Sequence, residues 1–168
     1  MMKQIAILFL FCGSLTFAQT SNSALNRDLA AMKNAFLNKN FETFADYIYP
    51  KSFELTGGKA NTIAMMRMMY AKMGKDLSIQ SLAYKNPGKL ITQNNEIQVT
   101  LDEESQIKTP KGVIKNKSIL IAISSNKGKN WTFINTMNQP KENLLKMFPN
   151  LSKNLEIKST AVTKPGNK

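Results

Sequence analysis

The sequence predicts an α+β domain in which three N-terminal helices pack on a curved antiparallel sheet forming a cone, followed by a short C-terminal helix. Two observations lead there. Apolar residues recur at three- and four-residue steps as far as about Met73, then at two-residue steps from Leu77 to Ile134. Turn-forming clusters then cut the second half into short runs, as a meander of antiparallel strands requires.

Each element has its own signal. Leu25, Leu29, Met32 and Phe36 share one face of a helix expected over residues 23–38, with Ser23 as its N-cap. Asn38-Lys39-Asn40 interrupts it. Phe41, Phe44, Ala45 and Ile48 mark a second, shorter helix that Pro50 stops, because the residue before a proline avoids helical geometry. A short strand is expected from Lys51 to Leu55. Gly57-Gly58 turns the chain into a third helix from Lys59 to Met73, with Ile63, Met66, Met69, Tyr70 and Met73 as its apolar stripe and Gly74 as its C-cap.

Strands are expected at Leu77–Tyr84, at Leu90-Ile91, through Ile97, Val99 and Leu101, through Ile119, Ile121 and Ile123, and through Trp131 and Phe133. Asn86-Pro87-Gly88, Asn94-Asn95, Thr109-Pro110-Lys111-Gly112 and Asn126-Lys127-Gly128-Lys129 separate them. Pro140 opens a last helix through Leu144, Leu145 and Phe148, halted by Pro149.

The N-terminus follows the plan of a secretory signal. Lys3 precedes an apolar run from Ile5 to Phe11, and Thr16-Phe17-Ala18 places small residues where cleavage needs them. The apolar run is shorter than the roughly 20 residues of a spanning helix, so the expectation is a cleaved leader and no transmembrane segment. Cys12 follows Phe11 rather than the small residue that lipid attachment prefers, so lipidation is not expected. The expected organisation is a signal peptide at 1–18, one domain at 19–157 and a flexible tail at 158–168, exported to the periplasm or beyond. Cleavage after Ala18 would leave no cysteine, hence no disulfide.

The net charge is +12, which raises nucleic acid and anionic surfaces as partners. Arginine supplies most bidentate phosphate and base recognition, yet only Arg27 and Arg67 are present and the lysines are scattered. No specific nucleic-acid partner is expected. Histidine is absent altogether, which removes Ser-His-Asp and Cys-His catalysis and histidine metal ligation.

The segments FETFADYIYP at 41–50, ELTGGK at 54–59, NKGKNWTFINT at 126–136 and KENLLKMFPNL at 141–151 resemble a group of exported bacterial proteins. With the order of elements, they give the chain a resemblance to the nuclear transport factor 2-like superfamily, cystatin-like in its sheet. The resemblance spans nearly the whole chain after the leader and implies a cone with an apolar interior. Its enzymes place an Asp, His or Tyr inside that cone as acid or base, while other members only bind, so it implies fold more than activity.

Without histidine, acid–base candidates are Asp46, Glu54, Asp76, Tyr47, Tyr49, Tyr70 and Tyr84. Asp46 with Tyr47, near a cone mouth, is the pair an isomerase or dehydratase would use, set against a solvent-facing Asp and a core-edge Tyr. Five methionines of IAMMRMMYAKM (Met65, Met66, Met68, Met69 and Met73) are the most unusual feature. They fit core packing, the lining of a lipophilic pocket, or thioether ligation of Cu(I).

Gly57-Gly58-Lys59 reads as a plain turn rather than an anion loop. Asp102-Glu103-Glu104 reads as solvated rather than as a calcium site, and Trp131 as a core residue rather than a sugar-stacking one. The expected function is non-catalytic binding of a small lipophilic ligand or an envelope component, with no cofactor and no metal. Met66, Met69, Tyr70, Met73, Ile121, Trp131 and Phe133 are expected to line the pocket. The rivals are the Asp46/Tyr47 enzyme and an interaction module that dimerises through the open sheet face.

Overall fold

The computed structural model describes residues 15–73 and 77–158, with side chains described from residue 23 onward. Most of the expected leader, together with Gly74, Asp76 and the tail beyond Lys158, lies outside them.

Helix α1 (Leu15–Leu37) buries Leu25, Leu29 and Met32, the face that the spacing predicts. Ser23 lies inside it rather than at its start, since residues 15–22 contain no Gly or Pro to break the helix. Helix α2 (Phe41–Ala45) is capped by Asn40, whose Oδ1 accepts from the Thr43 N–H at 3.1 Å. Pro50 then opens a 3-10 helix (Pro50–Thr56) where a strand was expected. Its fixed φ and missing N–H suit a first helical turn, where that donor would have no partner. Gly57 and Gly58 take φ of 77° and 111°, which side chains resist, and turn the chain into α3 (Lys59–Lys72).

Five strands form one open antiparallel sheet: β1 (Ser78–Lys85), β2 (Ile91–Gln93), β3 (Glu96–Thr109), β4 (Gly112–Ser124) and β5 (Thr132–Asn135). The order is β1-β3-β4-β5, with β2 paired to β3 beyond the end of β1. β3 is far longer than its apolar residues suggest, because β1 and β4 pair with it through Asp102–Lys108 and satisfy the backbone of a polar stretch. Helix α4 (Lys141–Met147) follows β5.

The sheet is buried on both faces near β3–β5. On one face α1 supplies Ala24, Leu25, Leu29 and Met32 against Val99, Leu101, Leu120, Ala122, Trp131 and Phe133. On the other, Leu144, Phe148, Leu151 and Leu155 from α4 and the chain after it pack on Ile121, Ile123, Ile134 and Tyr49. β4 feeds both cores from alternate residues, which is why Ile119–Ser124 is buried without interruption.

Polar contacts lock each cover in place. Asp28, buried on α1, accepts from the Trp131 N–H at 2.8 Å through Oδ2 and from Arg27 Nε at 2.8 Å through Oδ1. Arg27 Nη2 donates to the Lys129 carbonyl and to Asn130 Oδ1, so α1 grips the β4–β5 loop. On the far face, Gln98 Nε2 donates to the Asn150 carbonyl at 2.9 Å while Gln98 Oε1 accepts from the Ser152 N–H at 2.8 Å. The Tyr49 hydroxyl donates to Glu96 at 3.0 Å and accepts from Asn150 at 2.7 Å. Burial and the neighbouring Glu96 carboxylate push the Tyr49 phenol up to about 12.

Asp28→Ala strands the buried Trp131 N–H, so we expect a loss of about 1–3 kcal/mol in urea unfolding. Asp28→Asn keeps an acceptor and should lose less; equal stability of all three proteins would show that the clamp contributes nothing.

Candidate functional site

The residues expected to line one pocket are spread over three separate environments. Trp131 and Phe133 lie in the core under α1, whereas Ile121 points to the opposite face of the sheet. Met66, Tyr70 and Met73 sit on α3, which packs on α2 and the 3-10 helix. α3 has no fully buried residue. Its half-buried positions are Thr62, Ile63, Met66, Tyr70 and Met73, one helical stripe. Tyr70 on that stripe meets the Phe41 ring at 5.8 Å, and Lys39 Nζ lies 4.8 Å from the Tyr70 ring centre. Ion pairs Lys59–Asp46 and Arg67–Glu42 flank this contact.

Met69, placed on the inner stripe by sequence, is 61% exposed. It joins Met65 (52%) and Met68 (57%) on the outer face, a thioether surface that no described element covers. Core packing therefore accounts for Met66 and Met73 in part and for these three not at all.

Asp46 and Tyr47 do not act on a shared space. Asp46 is exposed and held by Lys59, while Tyr47 turns inward to the edge of the α1-side core. The 3-10 turns after α2 rotate the two side chains apart, as adjacent helical residues must be.

Glu103, expected to be solvated with its neighbours Asp102 and Glu104, is instead drawn into the sheet face. Glu103 sits in the middle of β3, on the α1-side face, because residues 99, 101 and 103 share a parity along the strand. Its Oε1 accepts from Asn135 Nδ2 at 2.7 Å and Ser118 Oγ at 3.1 Å. Burial raises the Glu103 carboxyl above the ordinary glutamate range, partly offset by these two donors. Tyr84 is its cross-strand partner, and burial, with the Glu103 charge beside it, raises that phenol as well. Asn116 lies two residues along β4 from Ser118 and has a buried Oδ1 with no partner among the described residues. This polar patch extends the α1-side face beyond its apolar core and could hold or pass a proton. Next door, Glu104 points the other way, and Lys85 and Lys117 hold it below the ordinary range from either side. The DEE run thus divides between the two faces of a strand.

Two shallow clefts accompany these features. One, of about 350 Å³, lies between Lys89–Ile91, Thr100 and Asn154–Glu156. The other, of about 480 Å³, lies over Ser23, Ala24, Arg27 and Lys129. Neither includes a residue of α3 or the Glu103 patch. Among the described residues no helix is long and apolar enough to cross a membrane. No protein-family model and no curated protein matches this chain.

The raised Glu103 carboxyl binds its proton more tightly folded than unfolded. It therefore adds stability below the usual glutamate range, and that stability is lost as pH rises through the raised value. Glu103→Gln keeps an oxygen for Ser118 and Asn135 but cannot ionise. Urea midpoints measured from about pH 4 to 7 should show the variant gaining on the wild type as pH rises. Parallel profiles would mean that the carboxylate ionises there without cost.

Proposed function

We propose that this chain is an exported, non-catalytic binding domain whose working surface is the outer face of α3. The partner is an apolar surface of another envelope component. The observation that carries this reading is the exposure of Met65, Met68 and Met69 on one helix face, each more than half accessible. Solvated helix positions are served equally well by Lys, Glu or Gln, so nothing about forming α3 calls for methionine there. Flexible thioether side chains suit a surface that adapts to an apolar partner. An exposed convex face fits another surface better than it fits an enclosed small molecule.

The remaining parts of the reading follow the resemblance to the nuclear transport factor 2-like superfamily. In it, the three N-terminal helices and the curved sheet form a cone, with α1 across the inner face; the packing of α1 on Val99, Leu101 and Phe133 supports this. A second reading, an isomerase or dehydratase, is favoured by one observation, the raised carboxyl of Glu103 beside Tyr84, which would take the place of Asp46 and Tyr47.

Met65→Gln/Met68→Gln/Met69→Gln removes the apolar surface without touching the inner stripe. Native mass spectrometry of protein recovered from its own envelope should show a bound component that this variant loses at unchanged thermal midpoint. A bound species kept by the variant would place binding elsewhere; a bound lipid-sized mass or a second copy of the chain would replace the proposed partner. Export itself is checked by N-terminal sequencing of the recovered protein, expected to begin at Gln19; an intact Met1 or Met2 terminus would remove the leader from the reading.

A further inference from the structure

The chemistry of the α3 surface is more specific than its hydrophobicity. We infer that Met65, Met68 and Met69 form a thioether site for a soft monovalent metal ion, Cu(I), on the outer face of α3. The inference rests on the reading that this face is the working surface, and adds a ligand that a face of leucines would not take.

The placement comes from helix geometry. Residues three and four apart on a helix are surface neighbours, with Cβ atoms about 5–6 Å apart. Met65 is three residues before Met68 and four before Met69, so the three side chains form a triangle over one turn. Each is more than half exposed, so no packing holds its rotamers, and three rotatable bonds per side chain let the sulfurs converge on one point. Three neutral sulfur donors make a soft ligand set, which selects Cu(I) over the hard cations that carboxylates and carbonyls take.

The rest of the chain supports the same choice by default. It contains ten methionines, no histidine and a single cysteine, Cys12, inside the expected leader. Among the described residues no cluster of carboxylates or cysteines could hold a metal ion. Thioethers are then the soft ligands the folded domain has to offer, and they are concentrated on α3. Nearby positive charge is moderate: Arg67 is engaged by Glu42, and Lys72, one turn on from Met68 and Met69, is exposed and screened by salt. Three neutral thioethers supply no negative charge to balance the ion, so the site is expected to be weaker than a thiolate site and to exchange its ion readily.

The rival explanation is that methionine was chosen for pliable apolar contact alone. The two differ in what leucine can replace. Met65→Leu/Met68→Leu/Met69→Leu keeps the apolar surface and nearly the volume but removes all three sulfurs. The test uses the protein as recovered from its own cells, with Cys12→Ser as a background so that any chain retaining residues 1–18 brings no competing thiol. Cu(I) is supplied with excess ascorbate and titrated against bicinchoninate, and Ag(I), added in a separate titration without reductant, serves as a second soft monovalent probe.

We expect about one ion per chain, with affinity falling roughly tenfold or more in the triple Leu variant and no competition from Zn(II). Unchanged Cu(I) affinity in the Leu variant, or failure of the parent protein to draw Cu(I) from the chelator, overturns the site. An apolar dye read in parallel separates this failure from that of the surface. Dye bound by parent and Leu variant but lost by the triple Gln variant leaves the apolar surface standing with the copper site gone. Dye bound equally by all three removes both.

Discussion

Burial of the central strands on both faces is the constraint on which the rest of the structure depends. β4 carries seven consecutive buried residues, Ser118 to Ser124, and alternate side chains along it need two different covers. α1 supplies one and the segment from α4 to Leu155 supplies the other, so the two ends of the domain are tied through a single strand. Neither cover is held by apolar contact alone. Buried Asp28 and Gln98 each satisfy backbone groups of the segment opposite, which fixes where the cover lies as well as that it lies there. Leaving one of those groups unpaired in the interior is costly, so these contacts give the packing its register.

α1 and α4 cover the central sheet, and α3 contributes no buried residue to either core. It rests on α2 and the 3-10 helix through a half-buried stripe, and its opposite face remains in water. The methionines expected inside a cone therefore divide: Met66 and Met73 turn partly inward, while Met65, Met68 and Met69 point out. A helix so placed contributes little to the core, which frees its outer residues to answer to something other than folding.

The α1-side face changes character along its length. Val99 and Leu101 lie under α1, and the next residue of the same parity is Glu103, followed by Ser105 opposite Asn116. Where the helix no longer supplies apolar partners, the sheet turns polar and the carboxyl is kept by hydrogen bonds from two strands. On the reverse side of the same stretch, Lys85 and Lys117 reach across neighbouring strands to Glu104. Three adjacent acidic residues thus meet unlike surroundings for no reason but the two-residue repeat of a strand.

The sequence by itself determined the class of fold, the change of period after α3, the packing face of α1 and most turns, because these depend on spacing and on the local preferences of Gly, Pro and Asn. Its net charge and lack of histidine equally bounded the chemistry. Tertiary structure decided what depends on partners distant in sequence. Pro50 reads locally as a stop, and became the first turn of a 3-10 helix. Asp102–Lys108 reads as polar loop, and became strand because β1 and β4 pair with it on both edges. The parity linking Glu103 to Val99 and Leu101 was legible, but its burial was not, since that required knowing which face α1 covers. For Met65, Met68 and Met69, helical periodicity fixes which residues share a side, and only the packing of α3 on α2 and the 3-10 helix decides which side is left in water.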